Sequence, residues 1–78
     1  MNILEAVSKK TDILAKFGNR VRAERMKLGL SQEALAARAG VHRTYVGMIE
    51  RGEKNITLEN IEKIAKALSL TVSELTRL

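Results

Sequence analysis

The chain has 78 residues and a mass of 8.7 kDa, enough for one domain with a thin core and a stability of roughly 3–5 kcal/mol. It has no cysteine, which excludes a disulfide framework and thiolate metal sites, and one histidine, His42, which leaves a zinc site almost no ligands; no apolar run approaches the roughly 18 residues that span a bilayer. Fourteen Lys and Arg against nine Asp and Glu give a net charge of +5; residues 1–54 hold eleven basic and six acidic side chains, and residues 55–78 hold three of each.

With no proline, no low-complexity stretch and no β-branched alternation, the pattern predicts an all-α chain of five short helices. Residues 1–11 read as an N-terminal extension. Its weak apolar pattern (Ile3, Leu4, Val7) suits a frayed turn or a dimer contact. A first helix is expected over 12–28, capped by Thr11 or Asp12, with Leu14, Phe17, Val21 and Leu28 on one stripe and Gly29 at its end. Ser31 caps a second helix over 32–39, whose inner face is Leu35, Ala36 and Ala39, and Gly40 ends it. A third helix starts at 42 or 43, with His42 as its cap, and runs to 51 before Gly52. Thr57 caps a fourth over 58–68, with Leu58, Ile61, Ile64, Ala65 and Leu68 inward. A short fifth helix opens at Val72 behind the capping box Thr71-Val-Ser-Glu74. Residues 12–78 thus form the domain.

The second and third helices are joined by only Gly40 and Val41. So short a connection forces a steep crossing, and Gly40 supplies the positive φ at the corner. Ala36 and Ala39 permit close approach, while Val41, Val46 and Ile49 fill the angle. These are the marks of a helix-turn-helix; a plain αα-hairpin needs neither the tight corner nor the small residues.

The run Ser31-Gln-Glu-Ala-Leu-Ala-Ala-Arg-Ala-Gly40-Val-His-Arg-Thr-Tyr-Val-Gly-Met-Ile-Glu-Arg-Gly52 resembles the repressor-like helix-turn-helix proteins of phages and bacteria. The resemblance covers nearly the whole chain and implies a compact five-helix DNA-binding domain. Within that family, His42-Arg-Thr-Tyr45, Ile49-Glu-Arg-Gly52, Lys54-Asn55-Ile56-Thr57, and Lys16-Phe-Gly18 before Arg20 and Arg22 look like the controller proteins of restriction–modification systems.

With Val46 and Ile49 inward, 100° per residue turns Thr44, Gly47 and Met48 outward, with Arg43 and Tyr45 on the flanks. Arg43 and Thr44 occupy the first turn, the part of a recognition helix that enters the major groove. An arginine there can grip guanine O6 and N7, worth about 1–3 kcal/mol of discrimination. The resemblance implies that job for Arg43, with Thr44 and Tyr45 at bases or neighbouring phosphates. The alternatives are a phosphate contact for Arg43 and a partly buried ring for Tyr45. Gly47 and Met48 complete the recognition-helix surface. Gly47 permits close approach and Met48 suits a thymine methyl, so specificity should lean on DNA bending and groove width. Gln32 opens the second helix, where free amides favour an anion, and the family's glutamine here bonds a phosphate. Arg51, Lys54 and Asn55 are the other phosphate candidates, followed by Arg20, Arg22 and Arg38. The resemblance also implies an ion pair between Arg25 and Glu50 that locks the recognition helix to its support.

A lone domain makes few contacts, and the family usually works as a two-fold dimer on half-sites roughly 34 Å apart. Leu70, Val72, Leu75 and Leu78 are more apolar surface than a short terminal helix can hide, so they are the expected homodimer interface; capping of the core is the alternative. An enzyme is not expected, because no nucleophile–base couple is present. Two aromatics, Phe17 and Tyr45, cannot build a platform for single-stranded RNA. Residues 9–28 are basic and amphipathic, but their apolar stripe is needed for the core, so no membrane partner is expected. The opening Met1-Asn2-Ile3-Leu4-Glu5 lacks a signal peptide's order, which leaves a cytoplasmic expectation. The resemblance implies a cofactor-free regulator of a palindromic or pseudo-palindromic double-stranded operator near its own promoter, with RNA polymerase as a further candidate partner. The rival is an antitoxin or other regulator whose main role is binding a partner protein.

Overall fold

The computed structural model describes the backbone of residues 3–78 and the side chains of residues 13–78. Five helices follow one another: α1 (Ile3–Lys27), α2 (Gln32–Ala39), α3 (Arg43–Glu50), α4 (Leu58–Ala67) and α5 (Val72–Leu75). There is no strand among the described residues. Helix α1 begins nine residues before the expected start at 12, so the boundary drawn between an extension and a domain falls inside it. The Thr11 or Asp12 cap and the contacts of Ile3, Leu4 and Val7 lie outside the residues whose side chains are described.

Local chemistry sets the other ends. Ser31 Oγ accepts from the Ala34 amide at 2.9 Å, and Thr57 Oγ1 from the Asn60 amide at 3.2 Å. Thr71 and Glu74 exchange reciprocal hydrogen bonds at 3.0 Å, the full capping box. Helix α2 closes through Gly40 at φ 71°, where the Val41 amide reaches back to the Ala36 carbonyl at 3.0 Å. After α4 the same left-handed corner is made by Ser69 at φ 59°, with the Leu70 amide on the Ala65 carbonyl at 2.8 Å.

The core takes Phe17 and Val21 from α1, Leu35 and Ala36 from α2, Val46 and Ile49 from α3, Ile64 and Leu68 from α4, and Leu75 from α5. Two apolar stripes overrun it. Leu58, expected inward, is 73% exposed. The core edge falls at half-buried Ile61, so one turn earlier the same row of α4 emerges into solvent. Leu28 is 47% exposed, because beyond Val21 the contact between α1 and α3 turns from apolar to ionic, through Arg25 and Glu50. Leu75 is fully buried. It plugs the core of its own chain and is therefore removed from the expected dimer surface.

Helices α1 and α3 cross backbone to backbone at Gly18. A Cβ there would collide with the carbonyl oxygens of Ile49 and Glu50. Gly18→Ala should therefore force the helices apart and cost about 1–3 kcal/mol, as for other overpacked sites, read as a fall in the midpoint of thermal unfolding.

Thr71 holds the Glu74 carboxyl below its ordinary pKa, through its backbone amide first and its side chain next, with Arg77 and Arg20 adding a smaller pull. A depressed folded-state pKa gives stability that is present above the ordinary carboxylate value and lost as pH falls through the depressed one. Acid titration of thermal stability should show that loss below about pH 4.3, and Glu74→Gln, which can keep both hydrogen bonds, should lack it.

Candidate nucleic-acid interface

The three residues Gly40, Val41 and His42 turn the chain from α2 into α3. His42 Nδ1 accepts from the Thr44 amide at 3.1 Å and so caps α3. Val46 and Ile49 anchor the inner face of α3 with essentially no exposure. At its far end Glu50, 8% exposed, meets Arg25 of α1 in a two-point ion pair: Nε to Oε2 at 2.7 Å and Nη2 to Oε1 at 2.9 Å. Arg25 Nη1 also donates to the Leu30 carbonyl at 2.8 Å, just before α2 begins. The hydrogen bond to Glu50 holds the guanidinium above its ordinary pKa, against the opposing effect of burial. Gln32, the first residue of α2, donates from Nε2 to Glu50 Oε1 at 3.1 Å. The pair thus ties α1, the start of α2 and the end of α3 together.

With its inner face and both ends held, α3 presents the opposite side to solvent. Arg43 and Thr44 are exposed in its first turn. Arg43 Nη1 stands 4.0 Å from Glu33 Oε2, a loose pair on an exposed surface. Tyr45 is half-buried against the core, and its hydroxyl accepts from Asn60 Nδ2 at 2.9 Å, so the ring is fixed to α4. That acceptor bond leaves the phenolic hydrogen available to an outside acceptor. Met48 is half-buried. Gly47 differs from expectation: it is buried, covered by the side chains of Arg51 and Gln32 rather than open at the helix surface. Arg51 Nε pairs with Glu53 Oε2 at 2.5 Å. Lys54 and Asn55 follow, both exposed.

Arg43, Thr44, Gln32, Arg51, Lys54 and Asn55 are therefore all exposed, and all lie on or next to the helix-turn-helix. Arg20 is placed elsewhere. Its Nη1 meets Glu24 Oε1 at 2.7 Å and its Nη2 donates to the Glu74 carbonyl at 3.0 Å, so it fastens α5 to α1. Asn60 and Glu53 were not singled out by sequence reasoning. Their contacts with Tyr45 and Arg51 depend on how α4 and the loop after α3 return, and no local pattern encodes that.

A helix-turn-helix family model matches residues 21–75. The control protein C.BamHI of Bacillus amyloliquefaciens is 50% identical over 60 residues, which cover 76% of this chain and 74% of that protein. The crystal structure of the restriction–modification controller protein C.AhdI from Aeromonas hydrophila matches with a TM-score of 0.78 at 52% identity, over 80% of this chain and 94% of that one. The chain belongs to the restriction–modification controller proteins, within the helix-turn-helix family. These are transcription regulators, not enzymes. A further relative, C.Esp1396I, known as a tetramer in complex with its natural 35 base-pair operator, matches at 32% identity with a TM-score of 0.76, over 81% of this chain and 83% of that one.

In this controller protein the exposed large apolar side chains fall in two groups, Ile13, Met26 and Leu28 on or just after α1, and Leu58 and Leu78 on α4 and at the C-terminal end. Leu58 and Val72 line an open hollow of about 500 Å³ with Glu59 and Glu62. Leu70 and Val72 are half-buried, and Leu78 is 53% exposed. No helix among the described residues is long and apolar enough to cross a membrane.

Arg25→Ala would leave Glu50 buried without its cation. Breaking such a pair costs about 3–5 kcal/mol, comparable to the whole stability of so small a domain. Circular dichroism at 25 °C should show a chain largely unfolded, whereas Arg22→Ala, at an exposed position of α1, should leave it folded.

Proposed function

We propose that this controller protein binds double-stranded operator DNA as a two-fold dimer, with α3 in the major groove of each half-site. The observation that carries the reading is the state of α3: capped at one end, ion-paired at the other, packed on its inner face, and presenting Arg43 and Thr44 outward from its first turn. That is the geometry by which a recognition helix meets base edges. Arg43 is the base reader, with Thr44 beside it. Tyr45, its ring braced by Asn60, serves a neighbouring base or phosphate through its free hydroxyl hydrogen. Gln32, Arg51, Lys54 and Asn55 contact the backbone and set register and salt dependence. Met48 adds an apolar contact, and sequence-dependent bending supplies part of the specificity.

The dimer face uses Leu58, Val72, Leu70 and Leu78. This replaces Leu75 with Leu58, the most exposed of the large apolar side chains. Residues 55–78 carry no net charge, so like charge does not oppose pairing there. The operator lies near the protein's own promoter, activation at low dose passes to repression at high dose, and the activating limb engages RNA polymerase. C.Esp1396I, a relative on its operator, supports the DNA-binding part of this reading.

Selection of bound duplexes from a random pool at fixed salt should return two-fold symmetric sites. On such a site Arg43→Ala should relax preference at one base pair per half-site by about 1–3 kcal/mol. Lys54→Ala should weaken all sequences alike and lower the salt slope by about one per subunit. A pool with no enriched sequence overturns sequence-specific binding. In equilibrium sedimentation at tens of micromolar the wild type should be a dimer and Leu58→Lys a monomer; a monomeric wild type removes the dimer.

A further inference from the structure

Given operator binding as proposed above, we infer that Gly47 and Glu53 are positioning residues that hold the Arg51 guanidinium on the DNA-facing side of α3. Arg51 is the C-cap of that helix, a place from which a long side chain can extend straight into solvent. It instead folds back by one turn. Its Nη1 lies 3.1 Å, and its Cζ 3.9 Å, from the point that a Cβ on residue 47 would occupy. Helical side chains lean towards the N-terminus, and steps of four residues put 43, 47 and 51 on one face. The guanidinium thus fills the seat that any other residue at 47 would fill with its own side chain. Gln32 Oε1 borders the same seat, 3.7 Å from that point.

Glu53 completes the arrangement. The chain turns sharply after Gly52, and the Glu53 amide bonds back to the Met48 carbonyl at 2.9 Å. This brings the carboxylate to Arg51 Nε. With Nε engaged, the two Nη groups remain as donors for the nucleic acid. An exposed pair of this kind contributes little to folding stability, and a carboxylate beside a polyanion is repelled by it. Neither stability nor net charge accounts for Glu53 at this place. Holding the guanidinium in its bound position does, because less side-chain freedom is then lost on binding.

The test measures operator affinity at fixed salt, with thermal unfolding alongside, on the duplex the wild type selects. Arg51→Ala should weaken binding on the order of tenfold, the effect of losing a hydrogen bond to a charged group. Gly47→Leu fills the seat where only flexible side-chain atoms stand in the way, so the fold should persist. It should weaken binding by a similar factor, and add nothing in the Arg51→Ala background. Glu53→Ala should weaken binding severalfold, while Glu53→Gln, which keeps an oxygen for Nε but no charge, should bind at least as well as wild type. Two results overturn the assignment. One is a Gly47→Leu effect that persists in full without Arg51, which marks a direct clash with DNA. The other is Glu53→Ala binding as tightly as Glu53→Gln, which marks a pure charge effect. If the wild type selects no duplex, operator binding itself fails and this assignment fails with it.

Discussion

The arrangement depends on one buried ion pair. Helix α3 has eight residues, too few to be stable alone. Its position is imposed by Val46 and Ile49 beneath it and by Glu50 at its end. Burying a carboxylate is costly unless its oxygens are satisfied. Here Oε2 takes Arg25 Nε, and Oε1 takes both Arg25 Nη2 and Gln32 Nε2. Apolar packing alone would hold α3 against the core but would tolerate small rotations about its axis. The fork of Arg25 against the carboxylate is directional, so it fixes which residues face outward. Gly18 permits this by letting the backbones of α1 and α3 approach closely at the same crossing.

The surface divides into two regions of different chemistry. Around α3 and the start of α2 the exposed groups are Arg43, Arg51, Lys54, Gln32 and Asn55, with Glu33 and Glu53 set among them. A cationic patch interrupted by carboxylates is less sticky towards arbitrary polyanions than a uniform one, and it directs particular guanidinium groups instead of merely attracting phosphate. Around the start of α4 and the C-terminal end the apolar groups are exposed Leu58 and Leu78 and half-buried Val72, on a segment with no net charge. One region suits a nucleic acid and the other a second protein surface, so occupation of one need not obstruct the other.

What the sequence made legible was local. The capping serines and threonines, the His42 cap, the Gly40 corner and the Thr71–Glu74 box all act within a few residues, and α2 is bounded as expected at both ends. The site was legible to the extent that periodicity and resemblance could reach it: Arg43 and Thr44 are outward, and Arg25 lies on Glu50. What could not be read depends on three-dimensional extent. Periodicity assigns Leu58 and Leu28 to apolar stripes but is blind to where the core ends. Leu75 looked like spare apolar surface, yet the space between α4 and the rest of the body was waiting for it. Rotation turns Gly47 outward, yet it is buried, because Arg51 returns across it, and that return is invisible without coordinates. The same holds for Asn60, fifteen positions from the tyrosine it braces.

The clasp made by Arg20 has a consequence for any pairing of subunits through α5. Helix α5 has four residues and no capacity to persist by itself. Its order comes from Leu75, its own cap and the single guanidinium that reaches the Glu74 carbonyl from α1. Val72, beside the hollow under Leu58, rides on that segment. Pairing of subunits there would firm up the same turn that makes pairing possible, so mass action would link conformational integrity to abundance. At scarce expression a solitary subunit would fray at this end and be the form most open to proteolysis.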